Sequence, residues 1–130
     1  MPAESERGSA VVDFVLVSVL ILTLLLAVVQ VAVYAHLRNV VVASAQEGAR
    51  YAANADVDPA SGAARTVQIV ARATSSRTAA SLACTSGEES DPSGLTLVVV
   101  RCTGSVPSLL SALGNLLPLE VTGRAVKEAA

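Results

Sequence analysis

The sequence predicts an α+β chain: a long N-terminal transmembrane helix continuing into a small domain with a second helix and a short antiparallel β-sheet. Three observations carry that prediction. Phe14 to Leu37 holds no Asp, Glu, Lys or Arg, and Leu, Val and Ile fill Val15 to Val29 almost without break. Beyond Pro59, apolar residues recur at helical spacing. Leu95 to Cys102 is a β-branched run bounded by glycines, and Leu119 to Lys127 reads as its antiparallel partner.

The first element spans residues 9–38. A helix from Phe14 to Leu37 is about 36 Å long at 1.5 Å per residue, enough to cross a hydrocarbon core of about 30 Å. It is apolar on all sides, unlike a surface helix with one apolar face. Gln30, Tyr34 and His36 mark its exit, with Arg38 just beyond. Two other readings compete. Val33-Tyr34-Ala35 is a tolerable signal-peptide cleavage context, but such signals have apolar regions of roughly 7 to 15 residues. A helix buried in a soluble protein would need more chain to wrap it than residues 39–130 supply.

Val40 to Ala53 continues as helix. Ser44, Gly48 and Ala52 recur every fourth residue, as do Ala45, Ala49 and Ala53, so two adjacent faces carry small side chains. Such faces allow close approach, which would offset the roughly 1 kcal/mol that Gly48 costs a helix relative to Ala. The occupant is either a partner helix or, more simply, the domain's own sheet. Glu47 and Arg50 are spaced to form an exposed ion pair.

Asn54 to Gly62 reads as a loop, with Asp58 as N-cap and Pro59 as first residue of the second helix. Val67, Val70, Ala71 and Thr74 give that helix its apolar side, Arg65, Gln68 and Arg72 face water, and it fades at Ser75 to Thr78. Ser81 to Thr85 is a short strand. Ser86 to Gly94 is an acidic loop whose Glu88, Glu89 and Asp91 lack the spacing of a calcium loop. Pro107 to Leu117 is an apolar stretch, either a short covering helix or an exposed loop for a partner.

Composition excludes several functions. The net charge is −2 and Lys127 is the single lysine, so no basic patch for nucleic acid can be drawn. No Ser/His/Asp set, metal-ligand cluster, phosphate loop or carboxylate pair suggests catalysis, a cofactor or a small-molecule substrate. Cys84 and Cys102 fit neither a redox pair nor a zinc site. They suit one structural disulfide outside the cytoplasm, with two buried thiols as the alternative. If Ser81 to Thr85 joins the sheet, the two lie on neighbouring strands.

Arg7-Gly8-Ser9-Ala10-Val11-Val12-Asp13-Phe14 begins the apolar run, and Ser44-Ala45-Gln46-Glu47-Gly48-Ala49-Arg50-Tyr51-Ala52-Ala53 follows it. On these two motifs the chain resembles the TadE-like family, minor pilins or pseudopilins of tight-adherence (type IV-like) pili, over nearly its whole length. The Val121 to Glu128 ending is also similar. The resemblance implies a pilin-like fold, a prepilin-type leader over residues 1–8 and an extracytoplasmic domain over residues 39–130. Gly8 would be the last leader residue and Ser9 the new N-terminus, cut by a prepilin peptidase. Asp13 would stand where the family has a glutamate and would meet the free amine of a neighbouring subunit, since carboxylate and ammonium are tolerable in lipid as a pair. The departures are that Asp is one methylene shorter and that Glu4 and Glu6 make the leader acidic. The plainer role for Asp13 is to complement the helix dipole at the interface.

Implied partners are the membrane, the peptidase, other pilin subunits and the assembly machinery. The implied location is the cytoplasmic membrane, single-pass, with the N-terminus inside and the domain outside or in an extracellular filament. The Lys and Arg count, Arg7 against Arg38 and Arg50, points the other way, while the leader and the cysteines require this orientation. The alternative function is a bitopic membrane protein with a small extracytoplasmic interaction domain and no pilus role.

Overall fold

A computed structural model describes the backbone of residues 2–107 and 116–129 and the side chains of residues 6–106 and 117–129. The order is α1 (Pro2–Ala52), α2 (Ser61–Ala73), α3 (Ser76–Ala80), β1 (Ala83–Ser90), β2 (Thr96–Pro107) and β3 (Leu116–Val126). The strands form one antiparallel sheet in the order β1-β2-β3. The fold is therefore α+β, a long N-terminal apolar helix followed by a small domain with further helix and a three-stranded sheet.

The helix α1 changes character along its length. Its lower half presents apolar side chains on every side, from Phe14 at 73% exposure to Leu26 at 42%. Its two interior hydroxyls bond back to their own helix, Ser18 to the Phe14 carbonyl and Thr23 to that of Val19. No hydroxyl in that stretch is left to demand water. In the upper half, burial takes a helical period: Val41, Ser44, Ala45, Gly48, Ala49 and Ala52 are buried while Glu47 and Arg50 are exposed. That stripe is where the domain docks.

Strand alternation defines the two sheet faces. Val100, Cys102 and Val106 of β2, with Leu119 and Val121 of β3, point into the core against α1 and Val70 of α2, and Val98 packs against Ala52 and Ala53 at the end of α1. On the outer face Val99 is nonetheless buried, between its register neighbours Gly87 and Arg124. The Glu89–Arg101 ion pair lies on the adjoining rungs. The run Val98-Val99-Val100 is thus buried on both faces of the sheet, with Glu89 and Arg101 beside Val99 on the outer one.

Four local expectations need correction. The second helix starts at Ser61, and its N-cap position is Ala60 without a side-chain cap. Asp58 instead closes a preceding turn, accepting from the Ala60 N–H at 2.9 Å while its carbonyl accepts from the Ser61 hydroxyl at 2.6 Å. The second helix does stop short of Ser75, at Ala73, but a new helix follows at once instead of a loop. Ser75 accepts from the Thr78 N–H and caps α3.

The acidic stretch from Ser86 to Ser90 is strand, paired with Val100 to Thr96. Only Asp91 to Leu95 turns, with Gly94 at φ +88° and its N–H bonded to the Asp91 carbonyl. Asp-Pro-Ser-Gly is sufficient turn chemistry for a tight hairpin, and each acid before it then alternates on a strand edge, not in a loop. Finally, Glu47 and Arg50 form no ion pair, the pair among the described residues being Glu89–Arg101. Most of Pro107 to Leu117 lies outside the described residues.

Candidate functional site

The candidate site is α1 itself: its N-terminal end, its bare apolar length and the stripe that holds the domain. Gly8 sits on a helix that runs unbroken from Pro2, with open space around the position a Cβ would take. Ser9 and Asp13 are exposed on the same helix, one turn apart. The bond between Gly8 and Ser9 is thus sterically open but helical, and a protease that reads extended backbone must unwind a turn there. Glycine, about 1 kcal/mol worse than alanine in a helix, lowers the cost of that unwinding. Asp13 is one residue below the charge-free run.

The upper stripe is a close helix crossing. A Cβ built on Gly48 would overlap Thr66 Oγ1 and fall 2.7 Å from the Gly62 carbonyl oxygen, both on α2. A Cβ on Gly62 would in turn meet Ala52 Cβ and the Gly48 carbonyl oxygen, each at 3.2 Å. The row of Ser44, Gly48 and Ala52 is therefore filled from within the molecule, by α2 at Gly48 and Ala52. The sheet takes the neighbouring row: a Cβ on Gly123 would overlap the Ala45 main chain and lie 2.6 Å from the Gln46 nitrogen. Sequence reasoning found both small faces and missed Gly62 and Thr66, which lack the apolar character that marks the rest of that side of α2.

Polar ties then fix the domain on the helix. Gln46 reaches the edge of β3, donating from Nε2 to the Arg124 carbonyl at 2.5 Å and accepting from the Arg124 N–H at 3.2 Å. It imitates a neighbouring strand and occupies part of an edge that would otherwise be open. Lower down, the Tyr34 hydroxyl donates to the Pro118 carbonyl at 3.0 Å. At the top, Lys127 Nζ donates to the carbonyls of Ala52, Asn54 and Val57 at 3.2, 2.7 and 2.8 Å. It satisfies groups left over where α1 ends.

Ser86 ties β1 to the start of α2, accepting from the Ala63 N–H and donating to the Ala60 carbonyl, both at 2.9 Å. Arg65, expected to face water, lies over the Tyr51 ring with its guanidinium carbon 5.3 Å from the centroid. None of these ties has a sequence signature, because each joins a side chain to a distant main-chain group or ring.

Cys84 and Cys102 stand directly opposite on β1 and β2 and form a disulfide, with Cα atoms 4.1 Å apart. The longer β1 provides that register. His36 is exposed on α1, and no cluster of three or more His, Cys, Asp or Glu among the described residues could hold a metal ion.

Residues 8–50 match a protein family described as TadE-like protein. The match begins at Gly8, covers Asp13 and the whole apolar run, and ends inside the small-residue stripe. No curated protein and no solved structure matches the chain. The family match and the long apolar helix together point to a single-pass membrane protein associated with tight-adherence pili.

Proposed function

We propose, taking the TadE-like character of residues 8–50 as premise, that the chain is a minor pilin or pseudopilin of a tight-adherence pilus or secretion system. A prepilin peptidase removes residues 1–8 on the cytoplasmic side and leaves Ser9 as the N-terminus. The domain over residues 39–130 lies on the extracytoplasmic side, where a disulfide persists. The protein's work is assembly and not catalysis, a role consistent with a structural family and with a helix whose lower half is bare.

The single observation that carries this reading is the family match beginning at Gly8, with an exposed acid five residues later on a helix whose lower half the domain leaves uncovered. Once Ser9 carries a free ammonium, the Asp13 carboxylate of a neighbouring subunit is its natural partner. In lipid each charge alone costs several kcal/mol, and pairing relieves most of that cost. Such a pair would set the axial offset between subunits. The packing stripe is already used inside the molecule, so contacts with other subunits fall to the bare half of α1.

The test is the intact mass and N-terminal sequence of the chain made with and without its peptidase. Processing predicts a product starting at Ser9, abolished by Gly8→Leu. A product that still starts at Met1, with Gly8→Leu indistinguishable, would leave the bitopic interaction protein as the better reading.

A further inference from the structure

We propose that the underside of the domain is itself a lipid-binding surface, a collar around α1 that rests in the outer headgroup and upper acyl region of the bilayer. The inference rests on the transmembrane reading of α1 and adds a second membrane contact to it. Asp13 marks the lower limit of the span, and a hydrocarbon core of about 30 Å takes about 20 helical residues. Counted from Phe14, that reaches Val33. The domain, however, begins well below Val33.

Two apolar furrows flank α1 at this level. One is formed by Ala27, Gln30, Val31 and Tyr34 of α1 with Leu117 and Pro118 of β3. The other lies between Val33, His36 and Leu37 of α1 and Ala73, Ser75 and Thr78 at the α2–α3 corner. The part of the apolar run below both, Phe14 to Leu26, is only about 20 Å long. A bilayer that stopped at the domain would be about 10 Å too thin, a mismatch that costs energy over every ångström. Letting the collar enter the interface removes it.

The chemistry of the collar fits that depth. Tyr34 is the aromatic residue of an interfacial belt, and Thr74, Ser75 and Thr78 place hydroxyls beside the second furrow. Charge around the collar has one dominant sign. Arg38 lies just above it on α1, while Arg72 and Arg77 flank the α2–α3 corner; all three are exposed, and none takes part in an ion pair among the described residues. Asp56, Asp58, Glu88, Asp91 and Glu128 belong to the opposite end, where α1 stops and the β1–β2 hairpin turns. Glu120, two residues up β3 from Pro118, is the acid nearest the collar along that strand. A basic rim above an apolar furrow is complementary to phosphate above acyl chain.

The chain contains no tryptophan, so one introduced indole reports on one place. Full-length Ala73→Trp and Pro118→Trp are reconstituted in vesicles of phosphatidylcholine and phosphatidylglycerol, with or without phosphatidylcholine brominated near the top of its acyl chains. Leu20→Trp serves as the buried-in-lipid reference and Ser90→Trp as the aqueous one. The proposal expects both collar reporters to be blue-shifted relative to Ser90→Trp. Brominated lipid should quench them and acrylamide should not, with no change as protein is diluted in lipid. Collar reporters that behave like Ser90→Trp overturn it. So does a blue shift that is lost on dilution, which means a second copy covers the furrow. Quenching of Leu20→Trp by acrylamide but not by brominated lipid would instead sink the transmembrane reading beneath it.

Discussion

Replacing Gly48 by alanine adds one methyl group to a helix and, by propensity alone, stabilises that helix by about 1 kcal/mol. The crossing with α2 predicts the opposite sign. The new Cβ would overlap Thr66 Oγ1 and lie 2.7 Å from the Gly62 carbonyl oxygen, closer than a packed pair sustains. Thr66 cannot swing away cheaply, because it is fully buried and its hydroxyl donates to that same Gly62 carbonyl at 2.8 Å. The carbonyl is backbone, so α2 itself must move, and Val70, one turn on and fully buried, moves with it.

Overpacking of this kind costs about 1–3 kcal/mol. With two contacts far inside the limit and one of them backbone, the upper end applies and the net loss is about 2 kcal/mol after the propensity gain. The assay is urea unfolding of the full chain in detergent, followed by the near-ultraviolet signal of the disulfide and tyrosines, beside Gly8→Ala on the same helix. Gly8 has open space around it, so its alanine variant isolates the propensity term. A double variant, Gly48→Ala with Thr66→Ala, removes the shorter contact and should be less destabilised than the two single effects added. If Gly48→Ala is as stable as Gly8→Ala, α2 does not cross α1 at this glycine.

Two further outcomes are expected. Replacing Cys84 and Cys102 together by alanine frees a loop with a sequence separation of 18, and chain entropy puts the loss at about 3 kcal/mol. A reductant should lower the Tm of the native protein toward that of the variant and leave the variant unchanged. Lys127→Met keeps the apolar stem out to Cε and removes the ammonium with its three bonds to carbonyls at the end of α1. A loss of about 2 kcal/mol is expected, in the range for hydrogen bonds to a charged group, with faster amide exchange concentrated in residues 53–57. Exchange that stays slow there would show that the ammonium is not what closes the helix.

Much of this molecule is legible in the sequence because its largest signals are one-dimensional. A charge-free run long enough to cross a bilayer, a glycine followed five residues later by an acid, and small residues every fourth position are all local patterns. Periodicity reports local patterns directly. The strand assignment of Leu95 to Cys102 holds for the same reason, since the run Val98-Val99-Val100 suits either face of a sheet. The edges of elements are harder to read. Ser86 to Ser90 looks like a loop by composition and becomes strand because Thr96 to Val100 lie opposite to receive it. Asp58 looks like a cap and instead closes a turn two residues too early to be one.

By itself the sequence determined that α1 is apolar for most of its length, that a small α+β domain follows it, and that the cysteines would meet if the first strand joined the sheet. Those outcomes depend on transfer free energy and period, which each residue carries wherever the chain goes. Only the tertiary structure decided what the small faces are for: α2 lies against Gly48 and Ala52, and β3 crosses at Ala45. It also decided that Gln46 and Lys127 close a strand edge and a helix end, that the α2–α3 corner lies beside Val33 to Leu37 of α1, and that the domain overlaps the apolar run. These depend on which distant segments come together, and a single side chain holds no record of its future neighbour.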